Sequence, residues 1–239
     1  MKKSISFTIL ACIFMTSMNA QIYLPSGLKG HWTFDNASDL THATAGTDLQ
    51  IVGTQTAITG PAPGDGAVRI PAGSYYRCFH NIAANGAGSP TRVNNYSLLF
   101  DFRVNSVGQW YTFYQTTPAN NDDGDFFIST GGNLGVSGVG YSAFSVTPGQ
   151  WYRMVITASM GNHFDCYIDG HIVLSGTYQA PDGRFSLDPQ SGSNELLFFA
   201  DDNGEDNEID IARAAIFDHD LTAVQIDSIG GLPAYSHYR

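Results

Sequence analysis

The chain has 239 residues, of which 43% are hydrophobic, 13% aromatic and only 14% charged. Its formal charge of −11 at pH 7 becomes −13 if an N-terminal segment carrying Lys2 and Lys3 is removed, and Lys29 is then the sole lysine. So acidic a surface disfavours nucleic acid and anionic membranes as partners, leaving neutral glycans, cationic surfaces and divalent cations.

Residues 1–20 read as a secretory signal peptide: Lys2 and Lys3 open it, residues 5–15 form an apolar run too short to span a bilayer, and residues 17–20 offer small side chains for cleavage near Ala20. A lipoprotein site at Cys12 is the competing reading, but the apolar run continues through Ile13, Phe14 and Met15, where a lipoprotein would turn polar. The mature chain, 21–239, has a length that suits one large all-β domain, secreted, periplasmic or held at the cell surface. No second apolar segment is long enough to be a transmembrane segment.

The first strand is expected at 28–34, with Leu28, Gly30, Trp32 and Phe34 on one face. Short strands at 49–52, 67–70 and 74–79 follow, separated by turns such as Gly60-Pro61 and Pro63-Gly64-Asp65-Gly66, and 81–95 reads as a long loop. The clearest strand is 96–104, where Tyr96, Leu98, Phe100, Phe102 and Val104 alternate with Ser97, Asp101 and Arg103. Strand 110–115 is apolar or aromatic on both faces, which fits a strand covered on both sides or one facing a ligand. An acidic turn at 120–125 precedes strands at 126–130 and 134–139, and Gly138 to Ala143 reads as a glycine-rich turn or strand edge.

Strands at 151–158, 164–168 and 171–174 come next, the last two joined by the two-residue turn Asp169-Gly170. Strand 196–200 leads into a second acidic turn carrying Asp201, Asp202, Glu205 and Asp206. The closing strand, 208–217, places Ile209, Ile211, Ala215 and Phe217 on one face and Glu208, Asp210, Ala212 and Ala214 on the other. Thr222 and Gln225 form a capping box for a short terminal helix stopped by Gly230-Gly231. The pattern is all-β: a two-sheet antiparallel jelly-roll sandwich with one short C-terminal helix. Cys78 and Cys166 both fall in strands, where export permits a disulfide and burial of two free thiols is the alternative.

Four motifs in order carry a family likeness: Gly30-His31-Trp32-Thr33-Phe34-Asp35, Gly149-Gln150-Trp151-Tyr152-Arg153-Met154-Val155, Tyr167-Ile168-Asp169-Gly170, and Glu208-Ile209-Asp210 through Ala215-Ile216-Phe217 with Leu221-Thr222. The chain resembles the laminin-G-like jelly-roll domains of the concanavalin A-like lectin/glucanase superfamily, in the form common in exported bacterial proteins. That resemblance implies the fold, but the fold hosts lectins, hydrolases, lyases and adhesion modules. It also implies a rim calcium ion, for which the matching positions would be Asp35 and Asp210. By composition, the two acidic turns add hard oxygen ligands, Asp201 and Asp206 among them.

Catalysis is not expected. Glu208-Ile209-Asp210-Ile211-Ala212-Arg213 is similar to the Glu-x-Asp-x-x-Glu strand of laminarinase-type hydrolases, yet its sixth position is Arg213, which cannot exchange a proton at ordinary pH. The seven histidines show no paired metal-ligand spacing, and no nucleophile elbow is present. For sugar binding, Trp32, Trp110 and Trp151 are expected in the core, and Tyr111, Tyr114, Asn120, Asn121, Phe127 and Tyr141 are the candidates for a rim site. The expectation is a non-catalytic carbohydrate-binding module with a calcium-supported rim. The alternatives are an adhesion module for a protein or cell-surface partner, and a glycan-cleaving enzyme of unrecognised type.

Overall fold

The computed structural model describes residues 22–87, 91–176 and 180–232. The expected signal peptide, with Cys12 and Ala20, lies outside them. Among the described residues the chain forms β1 (Leu28–Trp32), β2 (Gln50–Val52), β3 (Thr56–Thr59), β4 (Gly66–Ile70), β5 (Tyr75–Phe79), β6 (Asn95–Arg103), β7 (Tyr111–Gln115) and β8 (Phe126–Ile128). There follow β9 (Asn133–Val136), β10 (Gly140–Ser145), β11 (Tyr152–Ser159), β12 (His163–Ile168), β13 (His171–Gly176), β14 (Glu195–Phe198), β15 (Ile209–Phe217) and the helix α1 (Ala223–Ile229).

Every strand pairing is antiparallel. The first sheet runs β13-β12-β11-β6-β15-β4-β3, with β1 paired to β15; the second runs β10-β9-β8-β7-β14-β5-β2. This is the expected two-sheet jelly roll. The alternating apolar positions of β6 explain its central place, because Leu98, Phe100 and Phe102 enter the shared core while its backbone pairs with β11 and β15. Phe100 meets Phe113, Phe198 and Phe199 across the sandwich at ring-centroid distances of 5.6, 5.2 and 5.6 Å. Each such ring contributes about 1.5–3 kcal/mol by burial.

Two edge strands escape the apolar pattern. Strand β3 closes one edge of the first sheet with mostly exposed residues, and β10 closes one edge of the second, where the glycine-rich passage reads as a strand edge. An edge strand that covers little core needs no apolar period. The faces of β15 also differ from the simple alternation. A bulge between Ile211 and Arg213 swaps the two faces, so Ala214 and Ile216 join Ile209 and Ile211 in the inter-sheet core. Ala215 and Phe217 turn instead to the outer face, where they pack with Leu221, Ile226 and Ile229. That contact seats α1, whose N-cap Thr222 and Gln225 form the expected capping box.

The turn Asp169-Gly170 has positive φ at both residues, 49° and 85°, as a tight hairpin between β12 and β13 requires. Cys78 and Cys166 are free and fully buried in the same core. Burial pushes both thiols well above the ordinary range. Neither should react with a thiol reagent in the native state, and both should react on unfolding; labelling of the native protein measured by mass spectrometry checks this. No helix among the described residues is long and apolar enough to cross a membrane.

Candidate functional site

The two acidic turns, eighty residues apart in sequence, meet over β7. Strand β7 is buried on both faces: one enters the core, and the turns 120–125 and 201–207 lie across the other. Gly124 permits this, since a Cβ there would stand 2.2 Å from Thr112 Oγ1 and 2.8 Å from the Phe127 ring. Its N–H donates to Asp201 Oδ1 at 3.0 Å, while Asp201 Oδ2 accepts from the backbone of Asn203 and Glu205 at 3.1 and 2.8 Å. Asn120 donates to the Asp201 carbonyl, and Asn203 to Asp123 Oδ1 at 3.1 Å. These bonds bring Asp123, Asp201 and Asp202 together, with one carboxylate oxygen of each within 4.8 Å of the others. Asp201 is buried, and Asp123 and Asp202 are exposed.

The local field is strongly negative. Burial and the neighbouring Asp201, Asp123 and Asp202 raise the pKa of Glu205. The guanidinium of Arg184 lies against the 120–125 turn. Its Nε donates to buried Asp125 at 2.8 Å and its Nη2 to the carbonyls of Asp123 and Gly124. Desolvation holds Asp125 up at about 6 in spite of that partner.

On one side of the turns lies an aromatic patch. Trp110 is half-buried, contacts Phe127 edge-on at 5.7 Å and Tyr141 at 6.0 Å, and its carbonyl accepts from Asn207. Tyr141 is 41% exposed. On the other side is a groove of about 340 Å³ lined by Arg92, Thr116, Thr117, Pro118, Asp122, Arg184 and Asp188.

Several expected site residues lie elsewhere than a rim requires. Tyr111 and Tyr114 are 1% and 0% exposed, with their hydroxyls bonded to Ser106 and Tyr96 respectively, so neither ring can stack on a ligand. The reason is that both rings turn inward to the inter-sheet core, Tyr114 against Tyr96 of β6, while the acidic turns cover Thr112 and Gln115 on the outer face. Phe127 is also buried, beneath Trp110 and Gly124. Asn120 is half-buried and Asn121 exposed in the turn itself. Trp32 is a core residue as expected, Trp151 is buried in a separate cluster with Ala67, Ala212 and Leu232 beneath Arg103, and Trp110 is the tryptophan that reaches the surface.

The ligand pair Asp35 and Asp210 does not form. Asp35 Oδ1 accepts from Gly66 N at the start of β4 at 2.8 Å, while Asp210 faces Arg69, three residues along that strand. Asp210 is 0% exposed and accepts from Arg69, Arg103 and Asn105. A divalent cation there would face two guanidiniums. Asp206 accepts from Gly73 N at 2.7 Å and lies outside the one carboxylate cluster found among the described residues. Asp201 alone of the four joins a carboxylate cluster, and its partners Asp123 and Asp202 carried no sequence signal beyond acidity.

The glycosidase-like strand is equally spoken for. Glu208 pairs with Arg69 at 3.4 Å, Asp210 is enclosed, and Arg213 reaches Asp101 at 3.5 Å on the outer face of the first sheet. Glu208 and Asp210 share one guanidinium, with Arg69 Nε at 3.4 and 2.8 Å from them.

A family model described as the concanavalin A-like lectin/glucanases superfamily matches residues 84–227. Among solved structures, domain 4 of AbnA, a GH43 extracellular arabinanase from Geobacillus stearothermophilus in complex with arabinotriose, aligns with a TM-score of 0.59 at 16% identity, covering 85% of this chain and 98% of that one. The binding domain of botulinum neurotoxin DC in complex with rat synaptotagmin II gives 0.56 at 16% identity, with 84% and 50% covered. Trypanosoma rangeli sialidase in complex with sialic acid gives 0.59 at 12% identity, with 86% and 33% covered, so this chain spans about a third of that protein. A search of curated proteins finds no match.

Proposed function

The chain belongs to the concanavalin A-like lectin/glucanases superfamily, and from that premise we propose that it is an exported, non-catalytic module that binds carbohydrate beside the paired acidic turns. The observation that carries this reading is the patch of half-buried Trp110 and exposed Tyr141 at the edge of the second sheet, next to carboxylates and amides that can accept and donate to sugar hydroxyls. The arabinotriose complex of a similar fold supports a saccharide ligand. The occupied charges of β15 support a binding rather than a cleaving role.

Calcium belongs to the same reading. Asp123, Asp201 and Asp202 fit a hard dication, because their oxygens converge and Asp201 is held in place by three backbone N–H groups. The ion would supply the positive charge that lets the three carboxylates stand together. A cation bound by the native state at a hundredfold excess over its Kd stabilises by about 2.7 kcal/mol. Chelation should therefore lower Tm by roughly 5–10 °C, measured by calorimetry, and an unchanged Tm counts against the metal.

A glycan panel run in calcium and in chelator tests the function. Binding should be selective, and Trp110→Ala should weaken it at least tenfold, or about 1.4 kcal/mol. A folded chain that binds no member of the panel in either buffer overturns the reading in favour of a protein partner.

A further inference from the structure

The groove on the far side of the 120–125 turn has no part in the aromatic patch, yet it is built from the same turn. Its floor follows β7 through Thr116, Thr117 and Pro118, and its walls carry Arg92 and Arg184 with Asp122 and Asp188. The four charged groups cancel, two guanidiniums against two carboxylates. A bare anion would meet the carboxylates and a bare cation the guanidiniums. A neutral polyhydroxylated ring meets donors and acceptors at once, with Pro118 as an apolar surface for its C–H face.

The polar groups are pre-positioned. Arg184 is locked by Asp125, Asp123 O and Gly124 O, and Thr116 Oγ1 donates to the Arg184 carbonyl at 2.7 Å. Arg92 is tied to the Asp188 carboxylate and the Ser186 carbonyl, while its buried Nε has no partner among the described residues. Asp188 is fixed from its other oxygen by Ser193 Oγ at 2.7 Å. Held side chains lose little entropy when a ligand arrives.

The 120–125 turn touches both groove and patch. The Phe127 ring that underlies Trp110 lies against Gly124, and the Gly124 carbonyl accepts from Arg184. We propose that the groove of Arg92, Thr116, Thr117 and Arg184 is a second subsite for a neutral sugar ring, so that the ligand is an oligosaccharide chain crossing the 120–125 turn from the Trp110–Tyr141 patch. The proposal rests on the carbohydrate reading above. It adds that the two rings of contact belong to one chain, and that affinity rises steeply with chain length because the second contact is intramolecular.

The test is titration of the nitrogen-15-labelled chain with arabinotriose, xylotriose, cellotriose and maltotriose, and with the corresponding single sugars. With at least one trisaccharide, saturable shifts are expected at both the Trp110 indole N–H and the Thr116 and Thr117 amides, with at least tenfold tighter binding than the single sugar. Thr117→Phe, which fills the groove, should abolish the groove shifts and the tenfold gain while leaving the Trp110 response. Arg92→Ala, which removes donors without adding bulk, should do the same and guards against a folding defect in the first variant. Shifts at Trp110 alone overturn the second subsite and leave the carbohydrate reading standing. Shifts in the groove alone keep the subsite and overturn the aromatic platform. No shift with any of the sugars overturns both.

Discussion

Asp210→Ala should cost about 3 kcal/mol of folding stability, and the loss should be the same in calcium and in chelator. Asp210 is wholly buried, and its two oxygens accept from Arg69 at 2.8 and 3.1 Å, from Arg103 at 3.0 and 2.7 Å, and from Asn105 at 3.2 Å. Burial alone would raise its pKa; the bonds to Arg69 and Arg103 outweigh burial and hold it below the ordinary value. Removing one partner of a buried pair strands the other, at about 3–5 kcal/mol. The lower end applies because the Arg69 and Arg103 side chains are 35% and 24% exposed and can reach water. Asp101→Ala sets the comparison: Asp101 and Arg153 are 2% and 5% exposed, so the stranded guanidinium has no such exit and the cost should approach 5 kcal/mol. Denaturant midpoints with unchanged slopes measure both. A loss at Asp210 confined to the calcium buffer would restore it as a metal ligand.

The same residue shows what was legible in the sequence. The alternation around Asp210 gives a closing strand, and the strand is there. The family likeness puts Asp210 forward as a calcium ligand, and only the register shows otherwise, because β4 and β6 place Arg69 and Arg103 opposite it. Those arginines are 141 and 107 residues away, and no local pattern connects them. Fold was readable because the period of apolar side chains is a local property: β6, the Asp169-Gly170 hairpin and the Thr222 capping box all follow from neighbours within a few residues. The site was only partly readable because it is made by two turns meeting. Tyr111 and Tyr114 look like rim aromatics because β7 is apolar or aromatic on both faces, yet both enter the inter-sheet core, Tyr114 against Tyr96 of β6, and it is Trp110, just before that strand, that stays half-buried at the surface. The bulge in β15 was hidden for a related reason, since one extra residue leaves composition unchanged while it exchanges two faces.

Behind the groove, His80 should make stability pH-dependent. It is fully buried, its Nδ1 accepts from the Ile82 N–H at 3.1 Å, and it is therefore neutral with the proton on Nε2. Desolvation lowers its pKa to about 4, against a smaller opposing pull from Asp188, the groove carboxylate that also holds Arg92. Above pH 6.5 the imidazole is neutral in both folded and unfolded chains and contributes no slope. As pH falls from 6.5 to about 4 the unfolded imidazole takes a proton that the folded one refuses, so the folded state loses about 1.4 kcal/mol per unit, approaching 3 kcal/mol in all. His31, also lowered to about 4 by burial and Arg213, adds in the same direction. Asp125 works the other way: raised to about 6 by burial, it makes the folded state gain as pH falls through that value. The whole-protein curve mixes these slopes, and a variant separates them. His80→Asn keeps an acceptor for the Ile82 N–H and removes the titration. It should be less stable than the parent at pH 7 by a fixed packing cost, and that gap should close by about 3 kcal/mol between pH 7 and pH 4 in urea melts taken side by side. A gap that stays constant over the range would mean that His80 is protonated in the folded state, with Asp188 close enough to carry the charge.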